Sequence, residues 1–310
     1  MVPDKNGDFK DVCLGFDNIA DYANIDKQNN VMGAEVGRTI NRIANAKFTY
    51  DGIEYQLEKN YRDKHNIHGG KFGFHYQTWS IEKLTSDSVT LRLVSPDGDG
   101  GFPGEMNVAV TYTLGPENDL WIDVMAQTTK ASPFNVANHT YFNLEGDPTK
   151  DCYDYQIQIF SNKYIPAGED VIPQNEILII PEGDVLDFYS KPKSMSKNID
   201  TSQGIFQHTK GYDFPFILEA NRTINATAYS PKSGIKMEVI TDRPIINFYD
   251  AHDLDGTMIG KNNIPYNAMC AICLETQDMS DGANKNDFAN TILKPGQWYT
   301  SSVEYKFSVE

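Results

Sequence analysis

Long apolar runs are missing from this sequence. None approaches the ~20 residues that a membrane-spanning helix needs, which argues against a helical membrane protein. No secretory leader pattern is visible. Positive charge is scarce: 27 Lys and Arg face 43 Asp and Glu, for a formal net charge of −16. A phosphate backbone or an anionic lipid surface would be repelled, so neither nucleic acid nor membrane is an expected partner. A neutral ligand is permitted. Cysteine is sparse, with four in 310 residues. Cys270 and Cys273 read C-x-x-C, which alone suggests a redox pair or half a zinc site. Their apolar, strand-like flanks and the lack of a second pair favour buried structural thiols.

Several chemical signatures are also absent. There is no G-x-S-x-G elbow. There is no phosphate-cradling G-x-x-x-x-G-K-[ST] loop and no dinucleotide fingerprint. The six histidines lack metal-ligand spacing, so no metal site is expected from them. The glycine-rich turn at Gly98, Gly100 and Gly101 carries Asp97 and Asp99, which argue against phosphate.

Aromatics are abundant instead: 17 Tyr, 16 Phe and 3 Trp. With many Val, Ile and Thr they suit pleated surfaces. Period-2 alternation recurs along the chain, at Val89-Leu91-Leu93, at Val108-Val110-Tyr112-Leu114 and at Val303-Tyr305-Phe307-Val309. Asp51-Gly52 between alternating runs marks a hairpin, and a second hairpin is expected around Ser230–Gly234. Helical periodicity is confined to short turns expected near Asn18–Asn24 and Lys191–Ile199. No linker or fixed-period repeat divides residues 1–310, so one all-β domain of packed antiparallel sheets is the expectation.

Six polar clusters interrupt this pattern. Gly37–Ala44 holds Arg38, Asn41 and Arg42, which either pair with surface carboxylates or present donors to a ligand. Asn66–Gly70 holds His68 before two glycines, which fits a tight turn or a backbone approach to a ligand. Asn135–Asn143 interleaves Asn, His139 and Thr with apolar residues. Burying so polar a face is costly without hydrogen bonds, which suggests a wet cleft. Asp213 follows Gly211-Tyr212 and reads as a turn cap or a ligand contact. Asn247 stands near Tyr249 and Asp250 at a strand end. Glu275 follows an apolar run, so burial would raise its pKa and make it a usable base near neutrality. These clusters suggest acid–base chemistry on a small polar ligand and do not name the ligand.

In order and spacing, they resemble the aldose 1-epimerase (galactose mutarotase) family across nearly the whole chain. The stretches carrying the resemblance include Gly37-Arg38…Asn41-Arg42-Ile43-Ala44, His68-Gly69-Gly70, Gly101-Phe102-Pro103-Gly104, Asn138–Leu144, Gly211-Tyr212-Asp213, Leu274-Glu275-Thr276-Gln277 and Leu293–Gly296. The resemblance implies a large antiparallel β-sandwich of the mutarotase type. It implies interconversion of the α and β anomers of a free aldose such as galactose or glucose, without a cofactor. Glu275 then matches the general base and His139 the general acid. Arg42, His68 and Asp213 match sugar-holding residues, with Asn41 and Asn247 beside them. Phe214-Pro215 stands where the family usually has His-Asn, and Asn247 where glutamine is common, which bears on sugar preference. The alternatives are an epimerase of phosphorylated hexoses or a non-catalytic carbohydrate-binding protein on the same fold. A monomer or homodimer is expected, in the cytoplasm. The chain opens on a strand end running into Asn6-Gly7, so strands before Met1 are expected, and with them a periplasmic or secreted location stays open.

Overall fold

A computed structural model describes residues 1–24, 31–285 and 291–310. Two antiparallel sheets dominate it. The larger has eight strands, in the order Gln156–Ile159, Ala226–Tyr229, Ile235–Thr241, Tyr299–Val309, Asp119–Thr128, Met106–Leu114, Ser88–Ser95 and Ser80–Leu84. The smaller has five, in the order Leu178–Ile179, Lys163–Tyr164, Asp213–Ile217, Ile245–Tyr249 and Cys273–Gln277. The expected all-β antiparallel sandwich is what forms.

Alternation explains why the sheets meet. Val108, Val110, Ile122, Val124, Tyr305 and Phe307 project from the larger sheet into one core. Phe214, Phe216, Ile246, Phe248 and Leu274 project into it from the smaller. Burying a side chain of this size contributes roughly 1.5–3 kcal/mol, so this shared face dominates the attraction between the sheets. Successive side chains point to opposite faces. The other face of the smaller sheet therefore carries Asp213, Asn247, Tyr249, Cys273 and Glu275, with Asn247 directly opposite Glu275 and Tyr249 opposite Cys273. An apolar side for the core and a polar side for chemistry are thus written into one period-2 pattern.

Local chemistry sets the connections. The hairpin joining Lys47–Tyr50 to Ile53–Gln56 turns through Asp51 and Gly52, both at positive φ, as a tight turn between twisted strands requires. The second hairpin forms between Ala226–Tyr229 and Ile235–Thr241. A helical turn spans Ile19–Tyr22, with the Asn18 side chain accepting from the Asp21 amide as its cap. Lys191–Ile199 contains no helix, contrary to expectation. Lys193 exchanges both backbone hydrogen bonds with Ile157 of the larger sheet, which holds the segment extended. The short helix in this region is Phe206–Thr209. Cys270 and Cys273 are buried free thiols. Among the described residues, no helix is long and apolar enough to cross a membrane.

Candidate active site

The polar face of the smaller sheet floors a cleft of about 270 Å³. That is at the small end for small-molecule sites, which run from ~300 Å³ upward, and suits a compact polar ligand. The cleft brings together Glu275, His139, Arg42, His68, Asp213, Asn41 and Asn247, the seven residues to which the family resemblance points.

Each is placed by a traceable local cause. Arg42–Ile43 pairs with Asn66–Ile67, which sets Arg42 beside His68. Asn41, at φ 62, donates its amide to His68 Nδ1 at 3.2 Å, and His68 returns its own amide to the Asn41 carbonyl at 3.0 Å. An accepting Nδ1 fixes the neutral tautomer with its proton on Nε2. Burial holds His68 well below the usual imidazole range, and His139, His75 and Arg42 push the same way. Gly69 makes the turn possible. A Cβ there would lie 2.2 Å from the Gly37 carbonyl oxygen, so the close approach is to backbone rather than to a ligand.

Arg42 and Asp213 form a part-buried pair at 3.2 Å, and Asn247 Nδ2 donates to the other Asp213 oxygen at 2.9 Å. Asn41 Oδ1 accepts from the Arg42 amide at 2.9 Å and from Nη1 at 3.1 Å, so it is committed to orienting the guanidinium. The Tyr61 ring lies beneath that guanidinium at 5.0 Å. Asp213 begins a strand rather than capping a turn.

Glu275 and His139 are both buried, with His139 Nε2 at 3.5 Å from Glu275 Oε1. Burial, then the nearby Asp213 charge, raises the Glu275 carboxyl to about 8, against a hydrogen bond from Asn247 and the attraction of Arg42. Burial lowers the His139 imidazole to about 4. At these values the two groups together hold one proton near neutrality. The His139 ring stacks on Tyr141 at 5.0 Å and meets His68 edge-on at 5.5 Å, which fixes its plane. Glu275 Oε2, His139 Nδ1 and Arg42 Nε are buried without a partner. Unpaired buried polar atoms cost ~1–3 kcal/mol each, and three around one cleft make it ready for a hydroxylated ligand.

The donor atoms of His139, Cys273 and Glu275 lie within 4.8 Å of one another. A metal would need the thiolate. Burial and the charges of Glu275, Asp213 and Asp250 hold the Cys273 thiol well above its ordinary range.

Other readings are corrected here. Only His139 and Tyr141 of Asn135–Asn143 reach the cleft. Asn135 and Asn143 instead bind the backbone of residues 278 and 270, so this stretch is polar interior, not wet cleft. Arg38 is buried and clamps the carbonyls of Ser95, Pro96 and Pro103. Tyr61, His75 and Asp253 line the cleft without having been singled out. They come from loops with no periodic signal. Burial pushes His75 down to about 3, so it is neutral at physiological pH.

The β-sandwich presents a buried carboxyl, histidines and an Arg–Asp pair in one cleft. The model of the aldose 1-epimerase family matches residues 1–306, and the chain belongs to that family of isomerases. It is 38% identical over 311 residues to the galactose mutarotase of Rattus norvegicus, covering 100% of this chain and 87% of the relative. It is 31% identical over 315 residues to the aldose 1-epimerase of Escherichia coli K12, covering 100% and 88%. Among solved structures, an aldose epimerase homologue from C. elegans superimposes with a TM-score of 0.89 at 28% identity, covering 99% of this chain and 90% of that one. The galactose 1-epimerase of Lactobacillus acidophilus gives 0.83 at 26%, covering 98% and 86%.

Proposed function

We propose that this enzyme interconverts the α and β anomers of a free aldose such as galactose or glucose, with Glu275 as base and His139 as acid. The observation that carries the proposal is the buried Glu275–His139 contact at 3.5 Å in a polar cleft of about 270 Å³. In ring opening, Glu275 takes the proton of the C1 hydroxyl. The electrons of that O–H bond form the C1 carbonyl. The C1–O5 bond breaks, its electron pair stays on O5, and His139 supplies the proton O5 needs. After rotation about C1–C2, the same two transfers run in reverse on the other face of the carbonyl.

This cycle starts from ionised Glu275 and charged His139 and passes through neutral Glu275 and neutral His139. Both arrangements hold the same single proton. The protein by itself favours the neutral one, so the sugar must help ionise the carboxyl. Donation by the C1 hydroxyl to Glu275 does this, since hydrogen bonds to the charged form favour it. Arg42, Asp213 and the Nε2 proton of His68 hold other hydroxyls and so fix orientation.

The phosphorylated-hexose reading has weaker support. The cations Arg62 and Lys64, next to Tyr61, both bind Asp170, at 2.6 and 3.0 Å, which leaves less charge for a phosphate. Initial rates by polarimetry on freshly dissolved α-galactose, glucose, xylose, arabinose and glucose 6-phosphate test the proposal. Acceleration confined to the free sugars supports it, and no acceleration on any of them ends it.

A further inference from the structure

A second buried carboxyl stands behind the segment that carries His139. Glu35 does not line the cleft. Its strand, Glu35–Val36, pairs with Ala137–Asn138, with Glu35 opposite Asn138. The Glu35 Oε1 accepts from the Tyr112 hydroxyl at 2.8 Å and from Asn138 Nδ2 at 2.8 Å. Asn138 Oδ1 in turn accepts from the Thr140 hydroxyl. The His139 amide donates to the Ala34 carbonyl at 2.9 Å, and the Gly33 amide donates to the His139 carbonyl at 3.0 Å. Both main-chain groups of His139 are thus held just before Glu35, while the Glu35 carboxyl holds the residue just before His139.

The chemistry of this carboxyl is unusual for a sandwich interior. It has two neutral donors and no cation. Its second oxygen has no partner, and Glu35 borders a void of about 10 Å³ shared with Ile122, Val124 and Val303. A buried anion with such support is costly, and burial raises the pKa of this carboxyl against the hydrogen bonds from Asn138 and Tyr112. An apolar residue would fit the surrounding core, but it would strand the Tyr112 hydroxyl and the Asn138 amide. What the carboxyl does instead is join two elements. Tyr112 belongs to the eight-stranded sheet, and Asn138 to the segment that presents His139. A buried polar link of this kind specifies one relative position where apolar packing tolerates several.

We propose that Glu35 is a positioning residue for His139: by linking Tyr112 to Asn138, its carboxyl sets where the His139 imidazole stands relative to Glu275. This rests on the reading of His139 as the acid. The test compares Glu35→Ala, which strands both donors, with Glu35→Gln, which keeps a carbonyl oxygen for both. Two readouts are taken: kcat and KM for galactose mutarotation, and the NMR titration of the His139 imidazole without sugar. Glu35→Ala is expected to lose on the order of 10²-fold in kcat, as a misplaced catalytic group does, with KM near wild type. Its His139 titration is displaced, and Glu35→Gln restores both. Wild-type kcat with an unmoved titration in Glu35→Ala overturns the proposal. If Glu35→Ala does not fold, Tyr112→Phe carries the test: a displaced His139 titration supports the link, and an unmoved one overturns it. Wild-type activity in His139→Asn would remove the acid role itself, and the titration then decides on Glu35 alone.

Discussion

Replacing Glu275 with Gln separates what this residue does for the reaction from what it costs the fold. Burial lifts its carboxyl from an ordinary 4.5 to about 8. The folded state therefore binds this proton more tightly than the unfolded chain. Its contribution to stability is fully present below about 4.5 and is lost as pH rises through about 8. Above that pH the ionised carboxyl costs on the order of 5 kcal/mol, from ~1.4 kcal/mol per unit of pKa. Glutamine has the same shape and no charge to desolvate. Glu275→Gln should thus melt close to wild type near pH ~4 and roughly 5–10 °C above it near pH ~9. The same variant should lose ~10²–10⁴ in mutarotation rate, the usual worth of a positioned base. Calorimetric melts across this pH range, with polarimetry on the same samples, check both halves. A gap in melting temperature that does not grow with pH would refute the burial argument. A wild-type rate would refute the base.

Because Glu275 and His139 share one proton, kcat/KM should stay level between about 4 and about 8. It should fall below that range as the pair gains a second proton and above it as the pair loses its only one; a single limb rising through 8 would contradict this. Arg42→Lys keeps the charge but loses the fork that Asn41 orients and Asp213 binds, so KM should rise about tenfold, ~1.4 kcal/mol, with a smaller change in kcat. His68→Gln can place an amide where the Nε2 proton stood and should retain more activity than His68→Ala, measured as kcat/KM on galactose. Exhaustive treatment with a chelator should leave the mutarotation rate unchanged, and a loss restored by added metal would move the chemistry to the His139–Cys273–Glu275 donors.

What could be read from the sequence was whatever follows a short period. The alternation at Val108-Val110-Tyr112 and Val303-Tyr305-Phe307 marks core strands, whereas Asp213, which reads as a turn cap or a ligand contact, begins a strand. Asp51-Gly52 names its own turn. Polarity alone was a poorer guide. Asn135 and Asn143 look like cleft residues, yet their amides are consumed by the backbone of residues 278 and 270, far off in sequence, which only the tertiary fold supplies. Arg38 and Arg42 are four residues apart in one cluster, and one is a structural clamp while the other lines the cleft. Tyr61, His75 and Asp253 lie on loops whose approach to the cleft depends on long-range pairing, such as that of Arg42–Ile43 with Asn66–Ile67. Lys191–Ile199 carries turn-forming residues, but the hydrogen bonds offered by Ile157 outweigh a weak helical preference.

A buried carboxyl and imidazole that exchange the anomers of a free sugar must speed that exchange at equilibrium. Magnetisation transfer between the α and β anomeric protons of galactose at equilibrium measures that exchange directly, with no net reaction to drive. Exchange should rise in proportion to wild-type enzyme and collapse to the buffer rate in Glu275→Gln. Exchange at the buffer rate with the wild-type protein would contradict the account.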